Sequence, residues 1–366
     1  MDVSITPNLP APEWDELVNT SDDAWLYHTR VWIEMVAGLY GVEVICVTIR
    51  HNNQVVGGFP LHVARASPYS ADCPRASSLH MGSAGPLVAR MVSAPLRETI
   101  CHELTQAVVA WAHDQGIHIL SSALPPLAAS NLGNARGVNP LVPAGWLDTS
   151  THTRITKLTS EAELWSQLAY DARRSVRRAR DAGYTVTREP WPDMLDEYYR
   201  VHVETYHRTG VRPHPRAYFA GIATTIAKDG HAVLWVGRDA SNHPVAFHNC
   251  ARFRDGSLYW TGCCETSHLP SGVNYLLFWH ALAGAQEDGC GWYETGEAFP
   301  NTDDSKLKGL TLFKAKFGGE LYRYYRGEIR LCDCASTSLR SRARHWIRRH
   351  LGALIHSGRS SRTDAT

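Results

Sequence analysis

The sequence predicts an α+β protein of two lobes, each a mixed, mostly antiparallel sheet flanked by helices. Three observations carry that expectation. The second half reads as three consecutive strands, a long helix and a further strand, unlike the strict alternation of a doubly wound sheet. The first half repeats part of this order roughly two hundred residues earlier. The 366 residues suffice for two ordinary domains.

The second half is the clearer. "SEAELWSQLAYDARRSVRRARDAG" (160–183) opens with Ser160 and Glu163 at capping-box spacing. Leu164, Leu168, Ala172 and Val176 follow as one helical stripe, and Gly183 ends the helix. "YTVTRE" (184–189) alternates as a strand does. Pro192 opens a helix to about His207, and Pro215 another to about Lys228. Strands are expected at 231–238, 244–253 and 257–264, the last two joined by the tight turn Arg254-Asp255-Gly256. A helix over 271–289, a strand at 291–295, a short helix in "LTLFKAKFGGE" (310–320) and a closing strand at 320–331 complete the half.

In the first half, 27–41 is an amphipathic helix. Strands at 42–50 and 54–65 form a hairpin across Asn52-Asn53. A Pro- and Ser-rich loop (66–78), a long helix (94–116) and a strand (117–124) follow. The expected division is a lobe over 1–150, a second over 151–331 whose last strand can return to the first, and a basic tail over 332–366, with a linker near 142–153.

Net charge is +1, so attraction to nucleic acid or membrane has to come from local patches. Nine cysteines at irregular spacing, with no Cys-x-x-Cys pair, read as reduced thiols rather than a zinc site. The N-terminus has no secretory signal pattern, and no apolar run approaches a membrane span. The expectation is a cytoplasmic monomer with no metal.

Two features invite chemistry. Arg173, Arg174, Arg177, Arg178 and Arg180 crowd one helix, with like charges at i, i+4 that cost stability unless an anion relieves them. A solvated charged face is the plainer reading. The second feature is the pair Lys314 and Lys316, in a short apolar helix ending at Gly318-Gly319. Lys316 fits a solvated face. Lys314 is either a surface lysine or a residue at the mouth of a site. The tail helix "LRSRARHWIRRHLGALI" (339–355) is basic and amphipathic; it can lie on an anionic membrane, contact RNA or pack on the protein.

"DARRSVRRARDAGYTV", "PSGVNYLLFWHALAGAQEDGCGWYETG" and "LFKAKFGGELYRYY", with looser matches in "YHTRVWIEM" and "QVVGGFPL", resemble the GNAT acyltransferase fold in the doubled form of the Fem family and its relatives, the BioF-like acetyltransferase group. The resemblance covers most of residues 14 to 331. It implies an enzyme that forms an amide bond, with aminoacyl-tRNA as donor and an amine of a small molecule or nucleotide-linked cell-wall precursor as acceptor. No tightly bound cofactor is implied; acyl-CoA is the alternative donor. A non-catalytic GNAT-fold binding protein is a further alternative.

In CoA-using relatives a loop like R-x-x-G-x-G/A precedes the crossover helix and holds the pyrophosphate. Here "SHLPSGVNYLL" keeps Gly272 but lacks the basic residue and second glycine, and Pro270 removes an N–H. Ser271, Gly272 and Asn274 either cradle one phosphate or cap an ordinary helix. Where many CoA-using relatives hold a proton-donating Tyr, this chain has Phe313, which cannot donate. The Phe313-Lys314 pair resembles the Fem catalytic position and makes Lys314 the stabiliser of the oxyanion or the departing ribose oxygen. The resemblance also implies substrate contacts for Arg173, Arg174 and Arg177, toward phosphates, and for Asn274, Tyr275 and Trp32. Glu294 and Glu297 lie between the last core strand and the Phe-Lys helix. Glu297 is expected to be catalytic and Glu294 to bind substrate, since a carboxylate there can orient the amine or take its proton. The family's Asp-x-Gly-Gly is changed to Glu-Thr-Gly-Glu, and Trp32 is followed by Ile33-Glu34-Met35 rather than a basic residue. That departure turns attention to a small amine-bearing acceptor.

Overall fold

The structure, a computed structural model, describes residues 1–64, 74–78, 82–134 and 137–331. The basic helix expected at 339–355 lies outside the described residues, as does much of the loop at 66–78.

The first lobe runs β1 (Asp2–Thr6), α1 (Glu13–Thr20), a 3₁₀ turn (Leu26–His28), α2 (Arg30–Tyr40), β2 (Glu43–His51), β3 (Gln54–Ala64), β4 (Arg75–Ser77), β5 (Leu87–Val88), α3 (Ala94–Asp114), β6 (Ile119–Ala123), α4 (Ala129–Leu132) and β7 (Leu147–Asp148). The second runs β8 (Thr151–Lys157), α5 (Glu161–Gln167), α6 (Tyr170–Asp181), β9 (Thr185–Glu189), α7 (Trp191–Thr209), α8 (Arg216–Gly221) with a π-helical continuation (Ile222–Ile226), β10 (Ala232–Arg238), β11 (Pro244–Phe253), β12 (Gly256–Cys264), α9 (Val273–Glu287), β13 (Trp292–Ala298), α10 (Ser305–Ala315), β14 (Glu320–Tyr324) and β15 (Arg326–Arg330).

The strands form two sheets. One has the order β1-β2-β3-β4-β6-β15-β7, with β5 also on β3; the other is β14-β8-β13-β12-β11-β10-β9. All pairs are antiparallel except β4 with β6 and β12 with β13. The hairpin between β2 and β3 turns on Asn52 and Asn53, both at positive φ (51° and 63°), which Asn tolerates better than most residues.

Three expectations change. The helix over 160–183 is two helices, broken where Leu168 and Ala169 turn extended. The Arg173 guanidinium donates to the Ser166 and Leu168 carbonyls (2.9 and 2.5 Å), satisfying groups the break leaves open. The stripe survives the break: Leu164, Leu168, Ala172 and Val176 are all buried. The closing strand also divides. Glu320–Tyr324 pairs β8 in the second sheet, and Arg326–Arg330 pairs β6 and β7 in the first. Tyr325 between them is buried, and its hydroxyl donates to the Asn134 and Gly137 carbonyls (2.5 and 3.1 Å) of the first lobe. Third, the linker expected near 142–153 runs into a strand: Thr151–Lys157 is β8, flanked by β13 and β14.

The largest apolar cluster straddles the lobes. It joins Trp14, Trp25, Tyr27 and Trp32 to Trp191, Tyr198, Phe219 and Phe247. Arg254, at the tip between β11 and β12, donates to the Val18, Asn19 and Ser21 carbonyls at the end of α1 (2.5, 2.8 and 2.8 Å). A turn of the second lobe thereby caps a helix of the first.

Candidate active site

Strands β12 and β13 are parallel neighbours for only three residues, 256–258 against 292–294. Beyond that each follows its other partner and the two separate. On β12 the register to β11 shifts at Trp260, so Asn249 faces Thr261 and Cys250 faces Tyr259. On β13 the register to β8 shifts at Thr295, so Glu294 faces Ile155 and Gly296 faces Arg154. Each extra residue bends its strand. The result is a gap whose facing strand edges have no ladder partner.

Helix α10 closes this gap with a lysine. Asp304 caps the helix, its carboxylate accepting from the Lys306 and Leu307 N–H groups (2.8 and 3.1 Å), so the helix starts five residues earlier than the 310 expected from sequence. The usual polarity of the helix is inverted near its end: Leu312 is 57% exposed and Lys314 only 5%. The Lys314 ammonium donates to the Glu297 carbonyl at 2.8 Å. Gly296 makes room for it. At φ +83° a side chain is disfavoured there, and a Cβ would lie 3.1 Å from Lys314 Nζ.

Two carboxylates flank the lysine, and a guanidinium pairs with one of them. Glu294 is buried and accepts from Thr153 Oγ1 of β8 at 2.6 Å. Burial raises its pKa to about 7, against the opposing pull of the Thr153 hydrogen bond and of Lys314. Burial lowers the Lys314 pKa to about 8, while Glu297 and Glu294 oppose the fall. Glu297 pairs with Arg326 Nη2 at 2.7 Å and accepts from Thr151 Oγ1 at 3.2 Å. Arg326 is itself buried, with its guanidinium carbon 3.9 Å from the centre of the Tyr324 ring. One acid and one base with pKa values brought near neutrality can exchange protons with a bound amine and its leaving group at physiological pH.

The other sequence-predicted residues fall into three places. Phe313 packs its ring on Tyr275, Phe278 and Phe317 (5.1, 5.8 and 5.2 Å) beside the lysine. Asn274 and Tyr275 stand in the first turn of α9, and the Tyr275 ring lies 5.6 Å from Lys316 Nζ. Lys316 does not sit on a solvated face: it is half-buried and ion-paired to Asp171 at 2.6 Å, tying α10 to the start of α6. Trp32, expected to contact substrate, is 1% exposed and packed against Tyr27, Trp260 and Tyr218 (5.2, 5.0 and 6.3 Å) in the seam between the lobes. Arg173, expected to meet phosphate, is turned back on the carbonyls that end α5. Arg177 lies over Trp165 at 5.7 Å, and Arg174, Arg177, Arg178 and Arg180 remain exposed on α6. Arg326, Tyr324, Thr151 and Thr153 were not anticipated; their contacts to the site span 141 to 146 residues or arise at the split in the closing strand.

Two cavities lie elsewhere, one of about 190 Å³ around Asp23, Arg97 and Asn131, the other of about 530 Å³ beside Trp191, Thr224 and Lys228. Six described cysteines are free, five of them buried. Among the described residues no His, Cys, Asp and Glu are grouped to hold a metal, and no helix is long and apolar enough to cross a membrane.

A parallel strand pair joined through a crossover helix, present in each lobe as β4-α3-β6 and β12-α9-β13, is the arrangement of a tandem GNAT fold. Residues 166–303 match the model of the Acetyltransferase (GNAT) domain. The whole fold is similar to the crystal structure of FemX, with TM-score 0.69, 15% identity, and coverage of 90% of this chain and 98% of that one. It is also similar to L-PGS from Bacillus licheniformis, with TM-score 0.57, 14% identity, and coverage of 95% and 99%. A tandem GNAT protein from the clavulanic acid biosynthesis pathway gives TM-score 0.52, 13% identity, and coverage of 91% and 99%. No curated protein sequence matches the chain.

Proposed function

We propose that this protein forms an amide bond by moving an aminoacyl group from the ester of an aminoacyl-tRNA to the amine of a small-molecule or cell-wall-precursor acceptor. The observation that carries the reading is the Lys314 ammonium, buried in the gap between β12 and β13 and held by the Glu297 carbonyl. An ester carbonyl attacked by an amine develops negative charge on oxygen. A fixed ammonium in a dry site stabilises that charge without reorganising. Glu294, with its pKa raised to about 7, takes the proton that the nitrogen sheds as the C–N bond forms. Lys314, lowered to about 8, gives a proton to the departing ribose oxygen and regains one afterwards. One C–N bond forms, one C–O bond breaks, and the proton count closes. The exposed arginines of α6 support contact with the phosphates of the tRNA acceptor end. Phe313, in place of a proton-donating Tyr, supports an ester donor over a thioester.

The acyl-CoA reading keeps one specific support. Gly272 precedes α9 at φ +93°, and a Cβ there would lie 3.5 Å from the Arg178 guanidinium, so a basic group does stand beside that helix start. Donor profiling separates the two. The protein is incubated with charged tRNAs and candidate amines, with and without RNase, and in parallel with acyl-CoAs. Amide formation abolished by RNase is the expected result. RNase-insensitive turnover with acyl-CoA alone overturns it.

A further inference from the structure

The geometry points to Arg326 as a positioning residue: by holding the Glu297 carboxylate, it fixes the carbonyl that receives the Lys314 ammonium. The gap that holds the lysine belongs to the second lobe, but the residue that sets it belongs to a strand of the first lobe's sheet. This inference rests on the amide-forming reading of the site for its kinetic readout, on the raised Glu294 pKa for its titration readout, and on geometry for the rest.

Arg326 opens β15 and pairs with Ala123 of β6. Its backbone is anchored in the first lobe, where its carbonyl accepts from Asn139 Nδ2 (2.8 Å) and Thr149 N–H (3.0 Å) and its N–H donates to Ser150 Oγ (3.3 Å). From that anchor the side chain crosses to the second lobe, 3% exposed, and meets Glu297 of β13 at 2.7 Å. Glu297 is held at two points, by Arg326 on its carboxylate and by Lys314 on its carbonyl. The Tyr324 ring covers the guanidinium from the last residue of β14. Burial works against the guanidinium's charge, but Glu297 and Tyr324 outweigh it.

Stability alone accounts poorly for this pair. A buried ion pair gains little or nothing net over apolar side chains of the same size, because desolvation consumes the attraction. Its value lies in position: the bond spans the seam at the one place where the chain passes from the second sheet to the first. It also adjusts the charge around Glu294. That carboxyl feels Lys314 from α10, Glu297 from its own strand and Arg326 from β15, and takes a hydrogen bond from Thr153 of β8. Tyr27 and Tyr324 stand near enough to sense its charge in turn. Arg326 favours the ionised form of Glu294, and Glu297 disfavours it.

The test needs no substrate. Protein labelled with ¹³C at glutamate carboxyls is titrated by NMR, where Glu294 is expected to stand apart with a midpoint of about 7. Arg326→Gln is expected to move that midpoint to higher pH, and Arg326→Lys, which keeps the charge, to restore it. Glu297→Gln is expected to move it to lower pH, and decides the matter if Arg326→Gln does not fold. Once a donor is in hand, Arg326→Gln is expected to lower kcat by about a hundredfold, the scale of a small misplacement of a catalytic group, with KM little changed. An unmoved Glu294 midpoint in folded Arg326→Gln, or in Glu297→Gln, overturns the positioning role. A protein with no amide-forming activity overturns the functional reading and leaves the titration to stand by itself.

Discussion

The two perturbed groups at the gap dictate how turnover depends on pH. In the proposed reaction, attack requires Glu294 ionised and Lys314 protonated. With pKa values of about 7 and about 8, the competent form is largest near the midpoint between them and falls on both sides. Treating the two groups as independent, somewhat over half of the enzyme is competent at about pH 7.5, and roughly a tenth at about pH 6 or 9. The rate should therefore trace a narrow bell that drops about sixfold from its peak to either of those points. The assay is the initial rate at saturating donor and acceptor from about pH 5.5 to 9.5, with the protein's fold followed in parallel. The amine's own ionisation produces a similar acid limb, so the series is repeated with an acceptor of different basicity. A limb set by Glu294 stays in place and disappears in Glu294→Gln. A flat profile between those pH values, or an acid limb that follows the acceptor, refutes the assignment of Glu294 as base.

Lys314→Met should lower turnover by about a hundredfold, the usual cost of losing a donor to the oxyanion, while the melting temperature stays level or rises because a buried ammonium is removed. Near-normal turnover would return Lys314 to a structural role. Gly296→Ala should impair activity as well as stability, because φ is +83° and the new methyl presses on Lys314 Nζ. Gly309→Ala, on the helix that carries Lys314 and with open space around it, is the control and should be neutral or mildly stabilising. Acid should destabilise the fold well above the usual carboxylate range. Burial lowers His28 and His214 to about 4 and His202 and His248 to about 3. Depressed pKa values contribute stability that is complete above the ordinary histidine value and is lost as pH falls below it. At pH 5 this amounts to about 2 kcal/mol for each of the four, and Glu294, whose raised pKa acts in the opposite direction, returns about 3. The net loss of about 5 kcal/mol is comparable with the whole stability of many domains. Denaturant midpoints that do not fall between pH 7.5 and pH 5 would show that these rings are not held neutral.

The legible parts of the fold were those written in local patterns. The apolar period of the helices, the Asn-Asn hairpin and the strand-strand-strand-helix-strand order all act over a few residues, and the structure bears out that order. Lys314 stands out in the sequence because it follows Phe313 at a recognisable place, and the structure buries it. Less legible were elements whose residues look wrong alone. Thr151–Lys157 carries His152, Arg154 and Lys157, yet its inward Thr153 and Ile155 make it a central strand. The two-helix break at Leu168 left no mark, because the stripe across it keeps its spacing. Arg326 was missed for another reason. Residues 320–331 alternate as one strand, and only Tyr325, tied to the first lobe, shows that the strand changes sheets and brings a guanidinium to Glu297.

The charges at the gap constrain the chemistry further than any one residue does. Arg326 and Glu297 cancel as a pair. Lys314 and Glu294 are left, and their pKa values of about 8 and about 7 make ammonium and carboxylate the larger populations between those two values. In that form the pair is neutral overall, so the site can empty of water without stranding a net charge. Moving one proton from Lys314 to Glu294 leaves both groups uncharged, and such a transfer across a small pKa difference costs little. A thioester releases a thiolate, a more stable anion that leans less heavily on a proton donor. An ester oxygen leaves as a poor anion and does need one. In the proposed reaction the Lys314–Glu294 pair gives a proton to the leaving oxygen and takes back the one from nitrogen, and that pairing is what favours an ester donor in a chain whose domain match is to an acetyltransferase model.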